Sequence, residues 1–188
     1  MTLGNGTSTS TSTFALASSL TMILVIAMAA PAALAHSASD AYLNLTVPRA
    51  PGTGNLVLHG QWDLALRDLD FVLKLDDDGD GRLTWGEVRH HQTAIEHYAY
   101  SHLHLNSGPG HACAIKPIRQ MIDNHADGAY AALFFDVVCT GPHTKIGLDY
   151  TLFFAIDPSH RGIFVLNNGA DAATAVLSPQ KTKIEVTL

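Results

Sequence analysis

The chain has 188 residues and a formal net charge of -6 with its 11 histidines neutral. No basic patch is present to neutralise phosphates, which excludes nucleic acid as an expected partner. The length is ample for one domain with a real core.

In chain order, residues 1 to 35 carry no charged side chain. They run from a Ser/Thr-rich start through the apolar stretch Phe14 to Ala30, then Pro31 and Ala33-Leu34-Ala35. An apolar segment closed by a small-x-small site reads as a secretory signal, with cleavage after Ala35 and a mature chain that begins at His36. The stretch lacks the Lys or Arg that normally opens a signal, and Phe14 to Ala35 is long enough to span a bilayer, so an uncleaved membrane anchor is the alternative. Residues 36 to 188 are expected as a single exported domain, periplasmic or secreted.

Two strands should come first. Leu43, Leu45 and Val47 alternate with Tyr42, Asn44 and Thr46, and Leu56, Leu58, Gly60 and Trp62 alternate with Val57, His59 and Gln61, as in half-buried strands. A helix over residues 64 to 73 follows, with Leu66, Leu69, Val72 and Leu73 on one face.

Residues 76 to 87, Asp-Asp-Asp-Gly-Asp-Gly-Arg-Leu-Thr-Trp-Gly-Glu, have the pattern of an EF-hand calcium loop. A hard cation takes six to eight oxygen ligands, which such a loop supplies from alternate positions. Asp76, Asp78 and Asp80 fill the first three, the Arg82 carbonyl the fourth, Thr84 the fifth and Glu87 the bidentate last. Gly81 stands where the chain must turn sharply, and Leu83 supplies an apolar anchor. A second helix over residues 88 to 99 completes a helix-loop-helix insert at about 64 to 100. No second loop of this pattern occurs in the sequence, so a structural Ca²⁺ is expected; regulatory calcium sensing, for instance through loops paired between two chains, is the alternative.

His90 and His97, seven apart, should share a helix face, whereas His90 and His91 should point in different directions. The histidines match no zinc-ligand signature and read as solvated surface residues with weak affinity for Ni²⁺, Cu²⁺ or Zn²⁺. His36 is a special case, because cleavage after Ala35 would put an α-amine and an imidazole on one residue. With one further histidine, such as His59, His143 or His160, these nitrogens would chelate Cu²⁺ or Ni²⁺. A periplasmic copper or nickel carrier is therefore the alternative function.

Cys113 and Cys139 both lie in the exported part and are expected to pair in an oxidising compartment. A soft-metal site and two buried free thiols are the other readings. Further strands are expected at 130 to 139, 146 to 155, 162 to 166, 173 to 177 and 183 to 188, separated by Gly, Pro and Asn turns. The fold class is mainly β, a β-sandwich-like domain carrying the EF-hand insert. No nucleophile elbow, phosphate loop or cysteine nucleophile setting is present, so neither catalysis nor a small-molecule substrate is expected.

Several segments together resemble a known family: Ala35-His36-Ser37, Ser39 to Leu43, Gly60 to Leu69, Leu83 to Glu87, Leu148-Asp149-Tyr150 and Asp157 to Gly162. The set is similar to the exported N-terminal region of bacterial membrane proteins related to the HupE/UreJ type. In those proteins the membrane part is similar to hydrogenase and urease accessory proteins linked to nickel uptake. The resemblance implies a periplasmic binding or assembly module that works beside a separately encoded membrane protein.

Overall fold

The computed structural model describes residues 39–48, 54–141, 144–169 and 171–188. The expected signal or anchor, His36 and His143 lie outside the described residues.

Alternation of buried and open side chains builds the larger sheet. β1 (Asp40–Thr46) buries Ala41, Leu43 and Leu45, and β2 (Leu56–Ala65) buries Leu58, Gly60, Trp62 and Leu64 on the same side. Next come α1 (Leu66–Leu73), α2 (Trp85–His90), α3 (Gln92–Ser101), β3 (Leu103–Asn106), β4 (Ala114–His125) and β5 (Gly128–Cys139). β6 (Lys145–Tyr150), β7 (Arg161–Asn168), β8 (Asp171–Leu177) and β9 (Lys183–Thr187) complete the chain. Six strands form one sheet in the order β4-β5-β2-β1-β7-β8, and β3-β6-β9 form a second.

Register explains the core. Leu43 lies opposite Trp62 on one side and Phe164 on the other, and Trp62 lies opposite Leu133, so four large apolar side chains form one row across four strands. In the smaller sheet Leu148 lies between Leu105 and Ile184. The two sheets share one apolar core, and the rings of Trp62 and Tyr150 meet between them at 5.6 Å. Each fully buried side chain of this size contributes about 1.5 to 3 kcal/mol. The expected mainly-β, sandwich-like class is the observed one.

Several boundaries differ from the sequence reading. β6 ends at Tyr150 rather than Ala155, and residues 152 to 156 turn, with Phe153 at φ 59°. The helix expected over 88 to 99 is two helices, α2 and α3, divided at His91, whose φ of -91° and ψ of 9° depart from helical values. β4 had no counterpart in the expected strands. It lies at the edge of the sheet and has a bulge between Pro117 and Arg119 that leaves Ile118 exposed.

The cysteines are joined. The Cys113–Cys139 disulfide closes the end of the β4–β5 hairpin opposite its turn, where His125 pairs with Gly128. Of the three readings left open by the sequence, the disulfide is the one found.

Candidate metal centre

The acidic loop lies between α1 and α2, and local chemistry fixes both of its ends. α1 buries Leu66 and Leu69 and stops at Lys74, which takes the left-handed conformation while its N–H donates to the Asp70 carbonyl. The Asp70 side chain then accepts from the backbone of Leu75 at 2.8 Å and Asp76 at 3.2 Å, which holds the chain as it leaves the helix. At the far end Thr84 caps α2 in a capping box: its hydroxyl accepts from the Glu87 N–H, and the Glu87 carboxylate accepts from the Thr84 N–H.

Within the loop the carboxylates order the backbone around them. Asp76 accepts from Gly79 and Gly81, both at 2.8 Å; Asp78 accepts from Asp80 at 3.1 Å, and Asp80 accepts from Arg82 at 2.7 Å. Gly79 and Gly81 stand at φ 74° and 78°, a region that disfavours other residues, so the tight turn depends on them. One carboxylate oxygen from each of Asp76, Asp78 and Asp80 lies within 4.8 Å of the others. Glu87 reaches back across the loop, accepting from the Asp77 N–H at 3.0 Å and from the Thr84 N–H and hydroxyl at 2.8 Å. Leu83 packs partly buried against the core, and Trp85 is exposed beside the loop.

The electrostatics divide the set. The Gly81 N–H, with help from Gly79, holds the Asp76 carboxyl below its ordinary range. The N–H and hydroxyl of Thr84 do the same for Glu87. Asp78 behaves differently: the Asp80 N–H pulls it down, but the Asp80 charge and partial desolvation outweigh that bond and leave it raised. All the side-chain donors are hard oxygens, which suits Ca²⁺ and does not suit a soft cation.

Three further polar groupings emerge that linear spacing did not reveal. His90 and His91 both reach Asp77, each at 2.8 Å, because the chain leaves the α2 helix at His91. The expectation that these rings diverge is thus corrected. These bonds hold the Asp77 carboxyl low, His90 first and His91 second. A second grouping gathers Asp63, Asp123 and His125 from β2 and β4.

The third is a buried chain in which Ser39 reaches Asp68 and His160 at 2.6 Å each, and His160 reaches Tyr150 at 2.7 Å. His160, a suggested partner of His36 in a copper or nickel site, is thus fully buried with both ring nitrogens engaged. It is not presented to an ion. His59, another suggested partner, is bonded to Asp136 at 2.7 Å.

No protein-family model matches the sequence, and no match was found among curated proteins. Among the described residues no helix is long and apolar enough to cross a membrane.

Proposed function

We propose that the protein is an exported calcium-binding module whose EF-hand ion is structural, and that it serves as a binding or assembly domain beside a membrane protein. The observation that carries this reading is the convergence of Asp76, Asp78 and Asp80 in a loop whose closing Glu87 is already drawn across it. Asp76, Asp78, Asp80 and Glu87 would hold the ion, with the Arg82 carbonyl and Thr84 completing an all-oxygen set. Bound there, Ca²⁺ supplies positive charge that offsets the crowded carboxylates. The residues around it do the rest: Asp70 and Thr84 anchor the loop to α1 and α2, so a filled loop fixes the relative placement of the two helices. A partner would then read a surface that includes the exposed Phe71 and Trp85. Export rests on the signal-like residues 1 to 35, and the membrane partner rests on the resemblance to HupE/UreJ-related proteins.

Calorimetric titration of the full chain with Ca²⁺, followed in parallel by Trp85 emission, tests the reading. One site with a Kd of about 10⁻⁴ to 10⁻³ M is expected, as in extracellular modules. Glu87→Gln should weaken it about tenfold or more, since a charge-assisted ligand is lost. A melting curve that does not move between saturating Ca²⁺ and chelator would overturn the structural role.

A further inference from the structure

Asp63 alternates along β2 with the core residues Trp62 and Leu64, so it projects from the opposite face of the large sheet. Its side chain is nevertheless only 6% exposed. The register sets Ala132 of β5 opposite Asp63 and Tyr130 opposite Asp123. The small Ala132 leaves room for groups from β2 and β4 to meet across the strand between them.

The spacing of those groups is informative. His125 Nε2 lies 3.5 Å from Asp63 Oδ2 and 3.9 Å from Asp123 Oδ2. Both separations exceed the usual hydrogen-bond range of about 2.7 to 3.2 Å. An ion held by imidazole and carboxylate at about 2.0 to 2.2 Å sets neighbouring ligand atoms roughly 3 to 3.5 Å apart, so a small closure would seat one. The pair of histidines on Asp77 differs, because its 2.8 Å contacts are ordinary hydrogen bonds already complete without an ion.

The surroundings also fit a built site. The His125 ring is stacked on Tyr130 with centroids 4.1 Å apart and leans on Tyr42 at 5.2 Å, which fixes its orientation. Gln61 Nε2 donates to Asp63 Oδ1 at 2.9 Å and Oδ2 at 3.2 Å, the outer support that metal-binding carboxylates commonly have. Burial raises the Asp63 carboxyl above its ordinary range, the penalty of a desolvated charge that a divalent cation would offset.

We propose that Asp63, Asp123 and His125 form a second metal site, taking a divalent first-row transition ion through one imidazole nitrogen and two carboxylate oxygens. That mixed donor set favours an ion such as Zn²⁺ over Ca²⁺, which prefers oxygen alone. Three protein ligands leave a coordination position open to water or an incoming group. The site is independent of the acidic loop.

The test is a calorimetric titration of the full chain with Zn²⁺ in excess Ca²⁺. One tight Zn²⁺ site is expected, weakened at least tenfold in both His125→Gln and Asp123→Asn and unchanged in His91→Gln. Melting curves without Zn²⁺ establish that the variants fold; the Asp123 side chain is 55% exposed, so Asp123→Asn decides the matter even if His125→Gln does not fold. The proposal is overturned if no tight site appears, which would leave His125 as a simple polar neighbour of two acids. It is equally overturned if the site survives Asp123→Asn or disappears in His91→Gln.

Discussion

Ser39 Oγ lies 2.6 Å from His160 Nδ1, and this contact ties the residue just before β1 to the residue just before β7. Ser39 has one hydroxyl proton and gives it to Asp68 Oδ2, also at 2.6 Å, so His160 donates from Nδ1 to Ser39, while its Nε2 bonds the Tyr150 hydroxyl. The buried imidazole is neutral near pH 7, so its Nε2 accepts from Tyr150 there. Burial, which outweighs the nearby Asp157 charge, pulls it down from 6.5 to about 4.

Stability should respond to this accordingly. Above pH 6.5 both the folded and the unfolded imidazole are neutral, and the full contribution is present. As pH falls from 6.5 towards about 4, the unfolded chain takes up a proton that the folded one refuses, and stability declines. The slope approaches about 1.4 kcal/mol per pH unit. Burial raises the Asp68 carboxyl and so works in the opposite sense at the acid end, which makes pH 7.5 to 5.5 the informative interval. Urea midpoints across it should fall in the native sequence and fall less in His160→Gln; equal slopes would exonerate His160.

Replacing Cys113 and Cys139 by serine should lower stability by about 3.5 kcal/mol, the loop entropy expected for a 26-residue separation. Denaturant unfolding with and without reductant measures it. Little change would mean that the β4–β5 pairing is held firmly enough without the bond.

Gly60 marks a place where only hydrogen fits. A Cβ there would stand 2.5 Å from the ring of Phe135, its fully buried cross-strand partner. Gly60→Ala should cost about 1 to 3 kcal/mol through forced repacking, seen as a lower urea midpoint. A neutral result would show that the Phe135 ring can move aside.

Thr84→Ala removes the α2 cap and takes the hydroxyl donor from one oxygen of Glu87, which keeps the backbone N–H of residue 84. In chelator, the loss should be about 1 kcal/mol by thermal unfolding. No loss would indicate that water replaces the cap without cost.

Much of the architecture was legible because it follows from period-two burial. Leu43, Leu45, Leu58 and Trp62 alternate cleanly, and the strands at 130 to 139, 162 to 166 and 173 to 177 were placed to within a few residues. β4 was not, since Lys116, Pro117 and Arg119 interrupt any alternation, and an edge strand with little burial gives no apolar signal. The acidic loop was readable because its groups are contiguous. Asp63, Asp123 and His125 were not, because sheet register brings them together. His90 and His91 were misread because a helix period was carried through a residue where the helix stops.

The bulge in β4 has a consequence beyond local geometry. An outermost strand presents unpaired backbone groups that invite strands from neighbouring molecules to add on. Here Pro117 lacks a donor, Lys116 and Arg119 bring positive charge, and the kink at Ile118 breaks the straight line a second copy would need. Crowded together at high concentration, such molecules would resist zipping rim to rim into fibrils along this margin.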